Sequence, residues 1–579
     1  MPPTHLVLGT MPPDATPESH IAAGEWCFLD CATQFPQWMD KFTIVDTRPT
    51  PSEDEQYTAK LMGWGVHQLH LYAERHNARL REPLSSYVWE LLLGRWCITI
   101  IPFIGLAYRI TQQAVAHYGH VNLTVHTAVP TKCAWVTKED LFQNLISPNG
   151  FHRLLSKIVE KLAPPTWTLM PEFLPLPYSQ PRTTLLSMGA GWLRRKVFHE
   201  LSTGPGLRGI LHEANQRITH KLLDLPIPYF PFTSFWQRLF LSAILLTNRK
   251  GNRRTHPLLR ERYPNPGNEF PRWMADLLWE YIPNNLQHIE TRVKRSKSIF
   301  KSWIMDLRFS SEEQYLIKYA NLASGGTRLY TVQHAPTYFA IPDIGIASAE
   351  EYNHSGFLKW GGEFQESFPA PAPPVVYCKL YGKHKEEEAS IYYILDKQRP
   401  VDIPNCFSLF RPVRENMKNL EEFYSSLPNA LKNRLWIRHY IDASGSFDSR
   451  LWTLCKKIPV AEGDNIYNMS RVRIVVVNYV ASSFGQAMIL NTPCLWISPP
   501  KNYTYPNEIH NIFALLHAVG IMHGTAKTAA TFLAQHWDNI SAWWKSTPVQ
   551  EARNLFTKKY LGCYSRHPIL EWARLLRRL

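Results

Sequence analysis

A chain of 579 residues is longer than one hydrophobic core usually organises, so two domains with insertions are expected. Its 45% hydrophobic and 19% charged residues exclude an intrinsically disordered chain. Lys plus Arg number 63 against 48 Asp plus Glu, a formal charge of +15, which favours anionic partners: phosphates, a nucleotide, nucleic acid or an acidic membrane face.

In chain order, His5 to Gly9, Trp26 to Leu29 and Phe42 to Val45 read as short buried strands. Helices are expected near Gln56 to Arg81 and Ser85 to Tyr118, followed by a strand at Val121 to His126. The most apolar stretch, Trp96 to Ala107, is shorter than the roughly 20 residues a membrane span needs, so it reads as a buried or membrane-contacting helix. The N-terminus lacks the basic and apolar regions of a signal peptide. Residues 165 to 280 are rich in Pro and aromatics, and their helices are placed only coarsely. A basic helix is expected from Asn284 to Lys297 and a strand at Phe300 to Met305. The Ser310-Ser311-Glu312-Glu313 helix start comes next, then strands at Thr327 to Val332 and Phe357 to Trp360.

Phe368 to Pro374 alternates Pro and Ala, and with the charged run from Lys383 to Glu388 it reads as an interdomain linker. The predicted organisation is therefore an N-terminal lobe at 1–367 with helical insertions, a linker at 368–404 and a C-terminal lobe at 405–579. Beyond the linker, apolar runs at 407–410, 435–440, 473–477 and 494–497 alternate with helical stretches near 415–426, 447–457, 483–491 and 508–518. That alternation predicts an α/β fold with a parallel sheet covered on both faces. Such sheets bind ligands beyond the carboxyl ends of their strands.

The candidate chemistry follows from that rule. Val475-Val476-Val477 ends a strand and a helix begins near Ser483, so free N–H groups and the positive dipole end point outward there. Ser482 and Ser483 either cap that helix or donate to a phosphate. Arg438 and His439 end one strand and Arg411 ends the preceding one; they form a nucleotide-phosphate pocket or surface ion pairs. Gln333-His334 ends a strand of the first lobe, where His334 either titrates in a cleft or is structural. Glu25, in Gly24-Glu25-Trp26-Cys27, is the candidate acceptor-activating base or a sugar-hydroxyl ligand.

No Gly-rich dinucleotide fingerprint or Walker loop occurs, and no cofactor is predicted. Cys27 and Cys31 have no second pair in zinc spacing, and His67 with His70, and His117 with His120, lack the pattern of a zinc-protease helix, so no metal is predicted either. Nine scattered cysteines fit reduced thiols in the cytoplasm. No RNA- or DNA-binding motif accompanies the positive charge, which sets nucleic acid aside. The terminal segment Ile569 to Leu579, apolar on one face with Arg574, Arg577 and Arg578 beside it, either lies on an anionic membrane surface or packs back on the first lobe.

Read in order, Gly24-Glu25-Trp26-Cys27, Leu91 to Trp96, Gln333-His334, Leu358 to Gly361, Ile437-Arg438, Asn491-Thr492-Pro493 and a tail containing Trp543-Trp544, Gln550, Arg553 and Phe556 resemble a family of bacterial transferases of surface-polysaccharide gene clusters. The resemblance implies a GT-B glycosyltransferase: two Rossmann-like lobes facing across a cleft, metal-independent, distantly like transferases of Kdo, nonulosonic acids and glycerol phosphate. It implies a nucleotide-sugar donor, plausibly CMP-linked, and a lipid-linked glycan acceptor at the inner face of the cytoplasmic membrane. It also implies a Gln-His loop opposite a C-terminal nucleotide pocket; joined to the residue reading above, Gln333, Arg411, Arg438, His439, Ser482, Ser483 and Gln486 are the expected donor ligands, with His334 and Glu25 catalytic. Two positions depart from the family: Ala335-Pro336 where it tends to run Gly-Gly, and Gln486 where a Glu is expected. These departures motivate one alternative, a non-catalytic nucleotide- or glycan-binding paralogue; the resemblance supplies another, a glycerol-phosphate-type transferase.

Overall fold

The computed structural model describes residues 3–28, 31, 34–35, 38–46, 50–129, 141, 144–145, 147–174, 235–247, 258–305, 313–333, 354–359, 375–395, 413–438, 457–461, 463–478, 482–497, 507–562 and 564–578. The fold is mixed α/β, and every strand pairing in its sheets is parallel.

The first sheet holds β1 (His5–Val7), β2 (His20–Ala22), β3 (Thr43–Ile44), β4 (Leu123–Ala128) and β5 (Trp167–Glu172), in the order β3-β2-β1-β4-β5. This is the Rossmann half-order, with the chain reversing direction across the sheet between β1 and β4. The expected strand at Trp26 to Leu29 is instead a 3₁₀ turn, Glu25–Phe28. Trp26, Cys27 and Phe28 are all buried there, so the apolar run that reads as a covered strand belongs to a packed turn. Trp26 donates from its indole to the Leu8 carbonyl at 2.9 Å, and Phe28 stacks on Trp38 at 4.7 Å. The strand beside β1 is β2, which is only three residues long.

Two long helices connect β3 to β4. α1 (Pro51–Asn77) starts in a capping box: Thr50 Oγ1 accepts from the Glu53 N–H, and the Glu53 carboxylate accepts from the Thr50 N–H. α2 runs Ser86–Tyr118, with a π-turn at Glu90–Gly94 and Pro102 inside it. By length and composition it could cross a bilayer, but 83% of its most apolar window is buried. It is a core helix, packed between α1 and α3 (Pro148–Leu162). The π-turn places Glu90 indoors, where it meets His70 Nε2 at 2.8 Å and accepts from the Leu259 N–H at 2.8 Å.

Close approach at α1 depends on glycine. A Cβ on Gly63 would stand 2.0 Å from the Pro264 carbonyl oxygen, a backbone atom that cannot rotate away. Gly63→Ala gains about 1 kcal/mol of helix propensity, yet overpacking costs about 1–3 kcal/mol and falls at the upper end here. A net loss of about 1–2 kcal/mol in urea unfolding is expected; an unchanged or raised midpoint would show that the 264 loop yields.

After α4 (Phe235–Thr247), a second layer forms from β6 (Ser302–Ile304), α5 (Glu313–Ser324), β7 (Arg328–Val332) and β8 (Gly356–Leu358), its three strands in the order β6-β7-β8. The basic helix expected at Asn284 to Lys297 is reduced to a 3₁₀ turn, Ile289–Arg292. His288 before it is left-handed, at φ 56°, which stops α-helical propagation.

The second five-stranded sheet comprises β9 (Glu388–Ile394), β10 (Leu435–Arg438), β11 (Val472–Val477), β12 (Cys494–Ile497) and β13 (Met522–His523), in the order β10-β9-β11-β12-β13. The strand β9 falls inside the stretch assigned from sequence to the linker, so this unit begins before residue 388. It lies between two other strands and is buried from Ser390 onward. Helices α6 (Val413–Ser426) and α9 (Ala526–His536) pack together on the side of Ile391, Tyr393 and Leu395. Helices α7 (Ser482–Leu490), α8 (Asn507–Ala518) and α10 (Thr547–Phe556) contribute to the opposite core, with Tyr392, Ile394, Val475 and Val477. The expected strand at 407–410, the helix at 447–457 and the Pro-Ala run at 368–374 lie outside the described residues.

The last helix, α11 (Pro568–Leu576), settles the terminal segment. Trp572, Ala573, Leu575 and Leu576 are buried with Leu241, Ile244, Ile304, Tyr330, Val332 and Leu358. Its apolar face packs back on α4 and the three-stranded layer, leaving Arg574, Arg577 and Arg578 exposed.

Candidate functional site

Strand order locates two crevices. In the second sheet the direction of winding reverses between β9 and β11, and a ligand of such a sheet sits outside the carboxyl ends at that point. Register puts Arg438, Ile394 and Val477 level with one another, with Trp496 level with Val477 and Met522 level with Trp496. The next position after Val477 is Asn478, fully buried, and α7 then begins at Ser482. Ser482 is half-buried, Ser483 buried and Gln486, one turn on, half-buried.

The structure thus brings four of the expected donor residues, Arg438, Ser482, Ser483 and Gln486, to one sheet edge. Arg438 has an architectural task as well. Its Nη1 donates to the carbonyls of Ala461 at 3.3 Å and Gly463 at 2.9 Å, fastening the segment that pairs with its own strand at Ile437. Gln333 is elsewhere: it is buried at the end of β7, its backbone N–H donating to the Leu358 carbonyl at 3.1 Å. His334, Arg411 and His439 lie outside the described residues.

In the first sheet the reversal lies between β1 and β4. Val7 pairs with Ala22, Leu6 with Val125, and His126 with Met170. Gly9, Glu25, Ala128 and Glu172 all follow these positions by two or three residues, so they share the carboxyl edge of this sheet. Glu25 is half-buried there, on the turn after β2.

Sequence reading missed the group beside it. Glu172 ends β5 with one carboxylate oxygen 3.4 Å from His152 Nδ1 and the other 3.8 Å from His126 Nδ1. His152, from the second turn of α3, is 1% exposed. Its Nε2 lies 2.8 Å from the His126 carbonyl, to which it donates. The neutral ring then carries a lone pair on Nδ1, facing Glu172, and a Cβ on Gly9 would fall 2.3 Å from that atom. Burial raises the Glu172 carboxyl above the usual carboxylate range, against the opposing pull of His126. The three residues are 26 and 20 positions apart in the chain, so no spacing motif exposes them; only the β4-α3-β5 crossover joins them.

Burial pushes the His152 pKa down to about 4, with Arg153 and His126 adding smaller effects and the hydrogen bond to the His126 carbonyl opposing them. An ion pair with Glu172 would act the other way. The donated Nε2–H and the nearly complete burial favour the neutral ring. A histidine whose folded pKa lies below its unfolded value of 6.5 contributes stability that is complete above pH 6.5 and lost as pH falls towards 4. The wild type should lose about 2–3 kcal/mol from this group between about pH 7 and 4.5. His152→Asn should flatten that part of a urea-unfolding pH series; an identical slope would remove His152 as its source.

The LIC12162 family transferase model matches residues 4–576. No curated protein matches the chain. Among solved structures, WaaG, a glycosyltransferase involved in lipopolysaccharide biosynthesis, is similar at 11% identity and a TM-score of 0.25, over 52% of this chain and 82% of that one. A mutant of the Thermobaculum terrenum O-GlcNAc transferase is similar at 11% identity and a TM-score of 0.26, over 90% of this chain and 98% of that one. At these scores neither structure carries weight for the chemistry.

Proposed function

Taking as premise that the chain belongs to the LIC12162 family of transferases, we propose that it moves a sugar from a nucleotide-activated donor to a surface-glycan acceptor, in a GT-B arrangement. The observation that carries this reading is the β9/β11 reversal, with the start of α7 beside it. Helix N–H groups, the Ser482 and Ser483 hydroxyls and Arg438 supply donors and positive charge for a phosphate. Gln486 is a neutral partner for a ribose hydroxyl. Arg411, His439 and the Gln333-His334 loop are assigned to the same donor, and His334 is the group that stabilises the departing nucleotide phosphate.

At the first sheet, Glu172 takes the proton of the acceptor hydroxyl and Glu25 contacts a sugar hydroxyl. The nucleotide is proposed to be CMP-like and the acceptor lipid-linked, which places the enzyme at the cytoplasmic face of the membrane. Since α11 buries its apolar face, membrane contact would fall to its exposed arginines.

Two measurements test this. A nucleotide that occupies the site at about 100 times its Kd stabilises the fold by about 2.7 kcal/mol, so CMP should raise the melting temperature; no response to CMP, CDP, UMP or UDP sinks the nucleotide reading. His334→Ala should abolish transfer from the matching nucleotide sugar while circular dichroism is unchanged. Nucleotide binding without product in the wild type would favour the non-catalytic alternative.

A further inference from the structure

The segment 283–292 meets the C-terminal end of α1 away from the edge residues named above, and three side chains converge there. Glu290 is 4% exposed, one carboxylate oxygen 2.9 Å from His76 Nδ1, while its Oε2 is buried with no hydrogen-bond partner among the described residues. His288 Nδ1 lies 3.8 Å from the carboxylate. One ligand atom from each of the three lies within 4.8 Å of the others.

We propose that His76, His288 and Glu290 form a zinc site. The donor set is two imidazoles and one carboxylate, which suits a borderline divalent cation and leaves a fourth position for water. Zinc bonds of about 2.0–2.1 Å place ligand atoms roughly 3.3 Å apart in a tetrahedron; Glu290 Oε1 lies 2.9 and 3.8 Å from the two imidazole nitrogens, and those two nitrogens lie within 4.8 Å of each other. Two ligands are already held. The His76 ring stacks on Tyr72 at 3.9 Å, and Tyr72 stacks on Trp279 at 4.2 Å; Glu290 is fixed by burial. The third is on an adjustable side chain, since His288 is 74% exposed and turns without repacking a core.

Two further observations converge on this reading. His288 adopts a left-handed backbone at φ 56°, uncommon outside glycine, and such outliers cluster where a side chain must be aimed. Glu290 Oε2 is buried and unmet among the described residues, and a buried carboxylate oxygen costs free energy unless a donor or a cation faces it. The bound ion would tie α1 to the 283–292 segment, a fastening role separate from sugar transfer.

The test uses the full-length, tag-free protein, stripped by chelation and dialysed against Zn²⁺ near pH 7.5, where imidazole is neutral. Wild type should take up one saturable equivalent that His288→Ala binds roughly tenfold or more weakly. Because His288 is exposed, that variant keeps its fold, which circular dichroism checks. With Co²⁺ in place of zinc, wild type should show visible d–d bands that weaken in His288→Ala and in Glu290→Gln. Equal zinc affinity in wild type and His288→Ala, or no saturable equivalent in wild type, overturns the site.

Discussion

Arg109→Met should destabilise the protein by about 3–5 kcal/mol, the range found when one partner of a buried ion pair is removed. Arg109 Nη1 donates to Asp54 Oδ1 at 2.6 Å, and the side chains are 14% and 7% exposed. The guanidinium also lies 5.5 Å from the centre of the Tyr57 ring, and Tyr57 donates to the Gly105 carbonyl at 3.0 Å. One cation therefore serves a carboxylate and a ring of α1 from the middle of α2. Methionine replaces much of the stem but leaves Asp54 indoors without its guanidinium. The Asp54 carboxyl then stays buried with the guanidinium's hydrogen bond and charge removed. Urea unfolding followed by circular dichroism measures the loss; a change below about 1 kcal/mol would class the pair with exposed ones. Asp54→Asn with Arg109→Met should restore part of the loss, because the uncompensated charge goes with it.

Glu172→Gln should lower turnover by about 10²–10⁴-fold, the usual contribution of a positioned general base, with the fold intact. The lone pair of His152 Nδ1 is what makes Glu172 a base. While Glu172 is ionised, that lone pair faces a carboxylate oxygen at 3.4 Å with no proton between them. Once Glu172 takes a proton from the acceptor hydroxyl, the same two atoms gain a hydrogen bond. Burial and this gain both favour protonation, moving the carboxyl towards the working pH of a base. Gln keeps the size of the side chain and loses the basicity. Glu172 is 40% exposed, so the exchange has little structural cost. Wild-type turnover in Glu172→Gln would return the base role to Glu25, whose own Gln variant is then the comparison.

The sequence made some of this architecture plain and concealed the rest for identifiable reasons. β11 and β12 are continuous apolar runs because both faces of a parallel sheet are covered, and they were legible to within a residue. β9 was hidden because Lys383 to Glu388 leads straight into it, and charge next to prolines resembles a linker. β5 was hidden because Thr168, Met170 and Pro171 are exposed, so it lacks an apolar signature. The grouping of Arg438, Ser482, Ser483 and Gln486 at one sheet edge could be anticipated because a strand, a short loop and a helix start are adjacent in the chain. The Glu172–His152–His126 group could not, since each residue is unremarkable until the sheet closes.

The family-like segments proved informative about the scaffold. Asn491, left-handed at φ 63°, ends α7, and its side-chain oxygen accepts from Trp544 at 2.9 Å and Gln550 at 3.2 Å. Arg553 donates to the Met488 carbonyl at 2.7 Å. Four residues of the resemblance are thus one clasp at the end of α7, opposite the start that carries Ser482 and Ser483. They fasten the end of that helix to the tail.

The helix α11 has a consequence for how the protein is made. Ile304, Tyr330, Val332 and Leu358 are covered by Trp572, Leu575 and Leu576, residues the ribosome adds more than two hundred positions later. At about 5–20 residues per second, the three-stranded layer waits more than ten seconds after its own synthesis for its lid. During that interval its apolar surface is open to chaperones and to other nascent chains. A stop before residue 568 would therefore harm a part of the molecule translated two hundred residues earlier.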